Sequence, residues 1–547
     1  MKKQVDVLII GSGVAAASLS QRLLEKDPNR SILVLEAGIK VPMKDYKLYQ
    51  DYLVTGKYPY EFCEDLNYPN LFSPGENVSE SGNQLQLSGG RAMMFGGSTA
   101  HWGGWSFRLK PEDFQLYTNT QIDGTIDWPI NYNDLEPYYG QAEDYIGVSG
   151  DSTDQVPPRT TDYPFCEFPY TLEDQGTIEA FEKRGLSYAH MPIARHGVSD
   201  TDSPHAPCKT TGTCKYCPFG ARYVAGNFLD EMLRYGSFPN FEILQGAIVD
   251  RITMSSRSVA TGAIYHDKFT TDSHTVEAET VIVAAGSIEA AKLMQRSVTP
   301  EWPDGVGNQT NNNLVGKNLV SHPFVYWEAT LPENPQRLQP EMDFPTFISR
   351  HFDNKEQQPF GKFLTVRLNS FSDQFDMTTN NQVSTLTKAM QTGLNREEVD
   401  AVTKGPVKVQ LITQIEVFTK ASNYVSNTKP NVINHLGMQE TNVKYVTDPG
   451  FDAHVNNIQT LLNPIFNEMG ATDFYKASDS IRADHAACVT RMSDSPKTGV
   501  VDKDLKVFDT DNLYVLSNGS FSSLGAVNPT ITLTALSLRL GDHLNAK

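Results

Sequence analysis

The start of the chain shows two apolar runs separated by a segment of helical periodicity. Residues 4–10 and 31–36 are short, almost continuous apolar runs, which are typical of strands buried on both faces. Between them, residues 14–26 repeat their apolar positions at the spacing of an amphipathic helix. The order strand, helix, strand predicts a βαβ unit at the beginning of the fold.

Further along, the apolar pattern changes character several times. Residues 135–146 have helical periodicity, and three strand-like runs fall within 242–283, followed at once by a short helical segment. Many short alternating runs in residues 320–475 predict a mixed or antiparallel sheet. Residues 80–105 and 150–220 are rich in Gly, Ser or Pro and are expected to form loops. Strand and helix patterns return near the C-terminus.

This distribution predicts an α/β fold in which a Rossmann-like nucleotide-binding domain is discontinuous. We expect the nucleotide-binding domain to comprise residues 1–150, 205–320 and 480–547. A second, substrate-facing domain built on a mixed or antiparallel sheet is expected to comprise residues 151–204 and 321–479.

The turn after the first strand carries the spacing G-x-G-x-x-A. Gly11 permits the tight turn, Gly13 lets the backbone approach a pyrophosphate, and Ala16 allows close packing of the helix on the strand. Glu36 ends the second strand, where a carboxylate accepts hydrogen bonds from ribose hydroxyls and disfavours a 2′-phosphate. The pattern predicts a bound dinucleotide; the structural alternative is a plain βαβ turn without ligand.

Charge and composition make several classes of binding partner unfavourable. The 547 residues include 46 Lys and Arg against 65 Asp and Glu, for a net charge of −19, which disfavours binding to nucleic acid or to anionic membranes. No apolar run is long enough for a membrane span. The N-terminal apolar run is interrupted by Asp6 and lacks the pattern of a signal peptide, so we expect a cytoplasmic protein. The alternative is a periplasmic protein exported with a signal-bearing partner.

Several segments together resemble the glucose–methanol–choline (GMC) family of FAD-dependent oxidoreductases. In the order of the family, they are GSGVAAASL, GGRAMMFGGSTAHWGG, VIVAAGSIEAAKLM, NNNLVGKNLVSHP and the C-terminal block that begins at HAACVTRM. Within the family, the chain is most similar to the flavoprotein subunits of bacterial sugar dehydrogenases and to pyranose oxidase. The resemblance is weakest between residues 330 and 475, where we expect substrate choice to be determined.

The resemblance implies an enzyme that oxidises a sugar or glycoside hydroxyl by hydride transfer to flavin N5. His485 matches the family's catalytic base, a role that suits a neutral imidazole, and Asn528 matches the residue that holds the substrate oxygen. Their structural alternatives are a buried histidine without catalytic role and a turn or helix cap before Pro529. Electrons would pass to a quinone, a redox partner or subunit, or oxygen, with a dehydrogenase favoured over an oxidase. The alternative functions are oxidation of a sterol, choline or polyol, a non-redox FAD lyase, and a subunit serving only in electron transfer or assembly.

The same resemblance implies a set of flavin contacts. The residues concerned are Gly97, Ser98, His101, Trp102, Ala285, Gly286, Asn518, Gly519, Pro529 and Thr530. His101 is open to two interpretations, a covalent bond to the flavin as in pyranose oxidase or simple packing against the ring.

Three of the six cysteines lie within ten residues of one another. Cys208, Cys214 and Cys217 have the spacing C-x5-C-x2-C, and thiolates in a short loop suit an iron–sulfur cluster. Zinc with His205 as a further ligand, or thiols packed without metal, are the alternatives. A cluster would imply that electrons leave the flavin for a partner.

Overall fold

Three β-sheets organise the part of the chain that the structure describes. The computed structural model describes residues 3–40, 47, 50–51, 78–79, 84–87, 90–197, 207–209, 217, 220–309, 312–335, 342, 344–354, 361–371, 391–427 and 441–547. The strands are β1 (Lys3–Ile10), β2 (Ile32–Glu36), β3 (Val78–Ser79), β4 (Ala189–His190), β5 (Phe241–Gln245), β6 (Ala247–Met254), β7 (Ala260–Asp267), β8 (Ser273–Val283), β9 (Pro323–Leu331), β10 (Phe347–Ser349), β11 (Phe363–Phe371), β12 (Val407–Ile415), β13 (Tyr424–Ser426), β14 (Asn442–Lys444), β15 (Thr472–Ile481) and β16 (Leu513–Val515). The helices are α1 (Val14–Lys26), α2 (Leu116–Thr120), α3 (Tyr132–Ile146), α4 (Leu172–Lys183), α5 (Ala225–Tyr235), α6 (Gly286–Arg296), α7 (Arg396–Lys404), α8 (Phe451–Glu468) and α9 (Thr530–Asn545).

The first sheet has seven strands in the order β5-β2-β1-β8-β7-β6, with β16 paired to β8. Strands β5, β2, β1, β8 and β16 run parallel, whereas β6 and β7 continue from β8 as an antiparallel meander. Helix α1 packs against α9, and its apolar face is fully buried. The predicted N-terminal βαβ unit is therefore confirmed, because β1, α1 and β2 coincide with the predicted elements to within one residue.

One apolar run that reads as a single strand in the sequence forms two strands. The run from residue 241 to 254 breaks at Gly246, whose φ of +71° turns the backbone. The part before the break, β5, pairs in parallel with β2, and the part after it, β6, pairs antiparallel with β7. The run consequently joins two different regions of the same sheet.

The second sheet has six strands in the order β15-β9-β12-β11-β10-β4, and all its pairs are antiparallel. Helices α4 and α8 cover this sheet and form an apolar core with it, in which Trp327, Phe363 and Phe466 are completely buried. A small third sheet joins β13, β14 and β3. The prediction of an α/β fold with a second, antiparallel sheet is confirmed.

The strands of the two large sheets fall within the segments expected for the two domains, except that β15 runs two residues past residue 479, and the domain limits themselves stay a prediction. In the described part of the chain, no helix combines the length and the apolar character needed to cross a bilayer.

Candidate cofactor and active site

A cavity of about 610 Å³ lies at the carboxyl ends of β1, β2 and β8, where doubly wound sheets bind their ligands. Thirteen of the residues singled out from the sequence line it: Gly11, Gly13, Glu36, Gly97, Ser98, His101, Trp102, Ala285, Gly286, His485, Asn518, Asn528 and Thr530. Three others, Ala16, Gly519 and Pro529, are buried beside lining residues and do not form part of the wall. The structure thus brings together residues from both ends of the chain.

The glycine turn leaves open space where a dinucleotide would bind. A Cβ atom on Gly11, whose φ is +101°, would lie 2.6 Å from the carbonyl oxygen of Ala284, so this position requires glycine for packing. A Cβ atom on Gly13 or on Gly286 would meet nothing within 4 Å. Gly13 also precedes the first residue of α1, whose unpaired N–H groups attract anions. The turn therefore has room for a pyrophosphate beside a helix N-terminus.

Hydrogen bonds hold the Glu36 carboxylate in place at the cavity wall. The buried carboxylate accepts hydrogen bonds from the backbone N–H of Ser12 at 2.9 Å and the hydroxyl of Ser12 at 2.6 Å. Its other oxygen accepts from the backbone N–H of Gly38 at 2.7 Å. Glu36 also lines the cavity, and a carboxylate at this strand end is the group that accepts hydrogen bonds from ribose hydroxyls. The residues present fit the adenosine end of a dinucleotide.

The loop that begins at Gly96 sits directly on this glycine turn. The backbone N–H of Gly96 donates to the hydroxyl of Ser12 at 2.9 Å, and a Cβ on Gly97 would lie 3.2 Å from the Cα of Gly13. Residues Gly97–Ala100 form one 3₁₀ turn that leads to His101 at the cavity wall. The loop thus forms one wall of the cavity.

Arg222 and Tyr223 hold the far end of this loop. The buried guanidinium of Arg222 donates to the carbonyl oxygens of Thr99 at 3.1 Å, Ala100 at 2.7 Å and Trp102 at 2.6 Å. The indole N–H of Trp102 donates to the carbonyl of Tyr223 at 2.9 Å. These bonds fix the backbone around Trp102 and the orientation of its indole ring.

His485 lies between a second histidine and Asn528. Its Nε2 is 3.1 Å from Nδ2 of Asn528, and its Nδ1 is 2.9 Å from Nδ1 of His322. Burial lowers the pKa of His485, an effect that Asp484 opposes and Arg482 reinforces. Burial and the neighbouring His485 lower the pKa of His322 well below its usual range. Both imidazoles are therefore neutral at pH 7, and a neutral His485 can accept a proton.

Two amide oxygens near this group are available to a ligand. Oδ1 of Asn518 and Oδ1 of Asn528 are buried and have no hydrogen-bond partner among the described residues. Both side chains line the cavity. Since buried polar atoms are normally paired, these oxygens indicate that a polar ligand completes the site.

The second sheet supplies the opposite wall. Phe324 and Tyr326 from β9 and Ile412 from β12 line the cavity, and the centroid of the Phe324 ring lies 5.4 Å from that of His485. Arg482 and Asp484, which also line it, form an ion pair of 2.7 Å. This part of the wall thus combines aromatic surface with a pair of opposite charges.

The cysteine loop falls largely outside the described residues. Cys208 and Cys217 are described and partly buried, whereas Cys214 and His205 are not. Within the described ranges, no group of three or more His, Cys, Asp or Glu side chains could hold a metal ion. The iron–sulfur cluster therefore has no support here and stays a hypothesis.

Sequence reasoning missed His322 and Gln414. His322 is the next-to-last residue of the segment NNNLVGKNLVSHP, and its position before Pro323 at the start of β9 was the available signal. Gln414, on β12, places its Nε2 3.3 Å from Nδ1 of His322. A single polar residue in an alternating strand carries no sequence signal of this kind.

Comparison with known proteins decides the family. The model of the N-terminal domain of GMC oxidoreductases matches residues 5–324, and the model of the C-terminal domain matches residues 352–537. The chain belongs to the GMC oxidoreductase family. The resemblance stated from the sequence motifs is thereby confirmed, and so is an FAD-dependent enzyme that acts on CH–OH donors.

Four of the relatives match nearly the whole chain, at 22% to 25% identity. The fructose dehydrogenase large subunit of Gluconobacter japonicus is 25% identical and the match covers 98% of this chain and 97% of that one. The 2-methyl-1,2-propanediol dehydrogenase of Mycolicibacterium austroafricanum is 24% identical, with 100% and 96% covered. Among solved structures, pyridoxine 4-oxidase from Mesorbium loti superimposes with a TM-score of 0.65 at 16% identity, covering 99% of both chains. That structure supports the GMC fold alone.

Proposed function

We propose that this GMC oxidoreductase oxidises a hydroxyl group of a sugar or glycoside. His485 takes the hydroxyl proton through Nε2, and the Asn528 side chain orients the hydroxyl oxygen. FAD, when bound, supplies the acceptor for the hydride that leaves the alcohol carbon. The observation that carries the proposal is a neutral, buried His485 that shares the cavity wall with Asn528 and with the dinucleotide turn.

The residues that would hold FAD follow from the geometry. Gly13 and the N-terminus of α1 fit the pyrophosphate, and Glu36 fits the adenosine ribose. Towards the flavin end, the segments that would contact the ring are Gly97–Trp102, Asn518–Gly519 and Asn528–Thr530. Thr530 begins α9, so its backbone N–H favours negative charge near the ring. His101 would pack against the flavin, and a covalent bond is the alternative to be tested.

A polyhydroxylated substrate fits the opposite wall best. Phe324 and Tyr326 offer aromatic surface to the apolar C–H face of a sugar ring. The Arg482–Asp484 pair offers both donors and acceptors to hydroxyl groups, and its charges offset each other. The similarity to a fructose dehydrogenase subunit agrees with this substrate class, and the similarity to a propanediol dehydrogenase makes a small diol or polyol the second candidate.

We infer that electrons leave for a quinone or a redox partner rather than for oxygen. The relative named as a large subunit supports a protein that works with further subunits.

A cytoplasmic location is proposed, with export beside a signal-bearing partner as the alternative. Iron analysis of protein purified without oxygen tests the cluster at Cys208, Cys214 and Cys217, and less than one iron per chain would rule it out.

Anaerobic stopped-flow absorbance tests the function directly. Oxidised flavin should bleach with one or more sugars or glycosides, in a panel that includes polyols and 2-methyl-1,2-propanediol. The variant His485→Ala should bleach about 10²- to 10⁴-fold more slowly while still binding flavin, because it lacks the base. His274→Ala, at the exposed start of β8, is the matched control and should behave as wild type.

Three outcomes of this experiment count against the proposal. Bleaching of His485→Ala at the wild-type rate would remove His485 as the base. Bleaching only with the diol or other non-sugar alcohols would favour the second candidate. Flavin that stays oxidised with every alcohol would favour a lyase or a subunit without its own substrate. A dye acceptor measured beside an oxygen electrode then separates a dehydrogenase from an oxidase.

A further inference from the structure

We propose that His322 is a positioning residue that fixes the proton of His485 on Nδ1 and thereby presents an unprotonated Nε2 to the substrate hydroxyl. Because His322 acts through His485, its role rests on the proposed function. The two rings meet edge to face, with centroids 5.1 Å apart and an interplanar angle of 90°. Their two Nδ1 atoms are the contacting atoms, at 2.9 Å.

The hydrogen-bond partners of His322 determine its tautomer. Its Nε2 lies 2.9 Å from the carbonyl oxygen of Gly525, which can only accept, so Nε2 carries the proton. In a neutral imidazole, Nδ1 is then an acceptor. Gln414 agrees with this assignment, because the amide nitrogen that donates to the carbonyl of Ala526 at 3.0 Å also lies 3.3 Å from Nδ1 of His322. The assignment therefore follows from groups of fixed polarity.

The tautomer of His485 follows from that of His322. Since Nδ1 of His322 accepts, Nδ1 of His485 must donate, and its proton lies on the side away from Asn528. Nε2 of His485 is left with a lone pair, and it accepts from the amide nitrogen of Asn528 at 3.1 Å. The same lone pair is the one that a substrate hydroxyl would protonate. Hydrogen bonds of one polarity thus run from Asn528 through both histidines to Gly525.

His322 also favours the charged form of the base. When His485 takes a proton, its bond from Nδ1 to His322 becomes charge-assisted and therefore stronger. His322 does not pass the proton onward, because its Nε2–H faces the carbonyl oxygen of Gly525, and an amide oxygen is too weak a base to take a proton from an imidazole. The role of His322 is orientation and charge stabilisation rather than proton export.

The carbonyl at the end of this series is held rigidly. Gly525 has a φ of +58°, and a Cβ there would lie 3.2 Å from Oδ2 of Asp113. The hydroxyl of Ser523 donates to the carbonyl of Asp113 at 2.9 Å and accepts from the indole N–H of Trp128 at 2.7 Å. With the turn fixed, the Gly525 carbonyl stays aimed at His322. A fixed acceptor is what a tautomer-selecting residue requires.

Two variants separate positioning from packing. His322→Phe keeps an aromatic ring but removes both nitrogens, whereas His322→Asn can place its Oδ1 near the position of Nδ1 and keep an acceptor for His485. We expect the anaerobic rate of flavin reduction to fall roughly ten- to 150-fold in His322→Phe, the range for one lost bond to a charged group. His322→Asn should recover most of that loss. Substrate affinity, read from the concentration dependence of the rate, should change far less than the rate, because His322 does not line the cavity.

The pH dependence gives a readout that a structural role would not move. The charged groups that face His485 are Asp484, which raises its pKa, and Arg482, which lowers it. In the pH profile of flavin reduction, the decline caused by protonation of His485 should shift to lower pH in His322→Phe, because the His485 imidazolium loses its hydrogen-bond acceptor. In His322→Asn the decline should lie again at the pH seen for wild type. An unchanged rate and pH profile in His322→Phe would overturn the proposal.

Nitrogen NMR of histidine-labelled protein tests the tautomer without substrate or turnover. Comparison with His485→Gln assigns the resonances of His485 among the twelve histidines. Wild type should show an unprotonated Nε2 and a protonated Nδ1, and a protonated Nε2 would overturn the proposal. If His322→Phe does not fold, this spectrum and His322→Asn still decide. A wild-type rate in His485→Ala would instead defeat the proposed function, while the spectrum would still report on the contact with His322.

Discussion

Replacing Gly13 with Ala should separate cofactor binding from folding. A Cβ at this position would meet no protein atom within 4 Å and would project from a residue that lines the cavity. The backbone of Gly13, with φ −69° and ψ −173°, is one that alanine adopts readily. The apoprotein should therefore tolerate Gly13→Ala, whereas a pyrophosphate approaching the N-terminus of α1 should not.

The size of the effect can be worked from these contacts. Each hydrogen bond between a backbone N–H and a phosphate contributes about 1.5–3 kcal/mol, so losing one raises the Kd for FAD roughly ten- to 150-fold. The substitution has two opposing effects on the free energy of unfolding. Alanine is a slightly poorer helix N-cap than glycine, but it also reduces the conformational freedom of the unfolded chain, and each effect is below about 1 kcal/mol. Gly11→Ala differs, because its Cβ would contact the Ala284 carbonyl at 2.6 Å and should destabilise the apoprotein as well.

The assay pairs FAD titration with thermal unfolding of the apoprotein. Gly13→Ala should bind FAD and ADP more weakly but unfold within about 2 °C of wild type, since changes below 1 kcal/mol move the midpoint little in a chain of this size. Gly176→Ala, on the exposed face of α4 with nothing within 4 Å, is the control and should bind FAD normally. Wild-type affinity in a folded Gly13→Ala would refute the placement of the pyrophosphate.

Three further predictions concern single groups. The rate of flavin reduction should fall as pH drops below about 6.5, the usual pKa of histidine. Burial lowers the pKa of His485, and only the neutral imidazole can take the substrate proton. A rate that already declines above pH 7 would contradict this. Glu416→Gln should stabilise the fold at pH 8 but not at pH 4, because burial raises the pKa of Glu416 to about 7. The ionised Glu416 carboxylate destabilises the folded state increasingly as pH rises from the carboxyl pKa of the unfolded chain through that of the folded protein. Equal changes in melting temperature at both pH values would exclude this. Acid precipitation should leave flavin in the supernatant if His101 only packs against the ring, whereas a pellet that is yellow in wild type and colourless in His101→Ala would establish a covalent bond.

Local patterns were sufficient for the parts of the fold that depend on local chemistry. The glycine turn and the periodicity of residues 14–26 predicted α1 at its observed bounds, because a buried strand, a tight turn and an amphipathic face each leave a direct imprint. The break at Gly246 was not predicted, although a glycine within an apolar run is a known sign of a bend. The run 241–254 is apolar on both sides of that glycine, and only the pairing of β5 with β2 distinguishes two strands from one.

The candidate site also depends on contacts between residues far apart in the sequence, which local patterns do not reveal. His485 and Asn528 were found through motifs, yet the state of His485 depends on His322, which lies 163 residues away in the chain. The polarity of that contact depends in turn on the Gly525 carbonyl, which is 203 residues from His322 and belongs to the backbone. A backbone oxygen has no residue type, so no motif can encode which nitrogen of the base carries the proton. Motifs can therefore locate a base of this kind, whereas its readiness to accept a proton follows only from the arrangement of its neighbours in space.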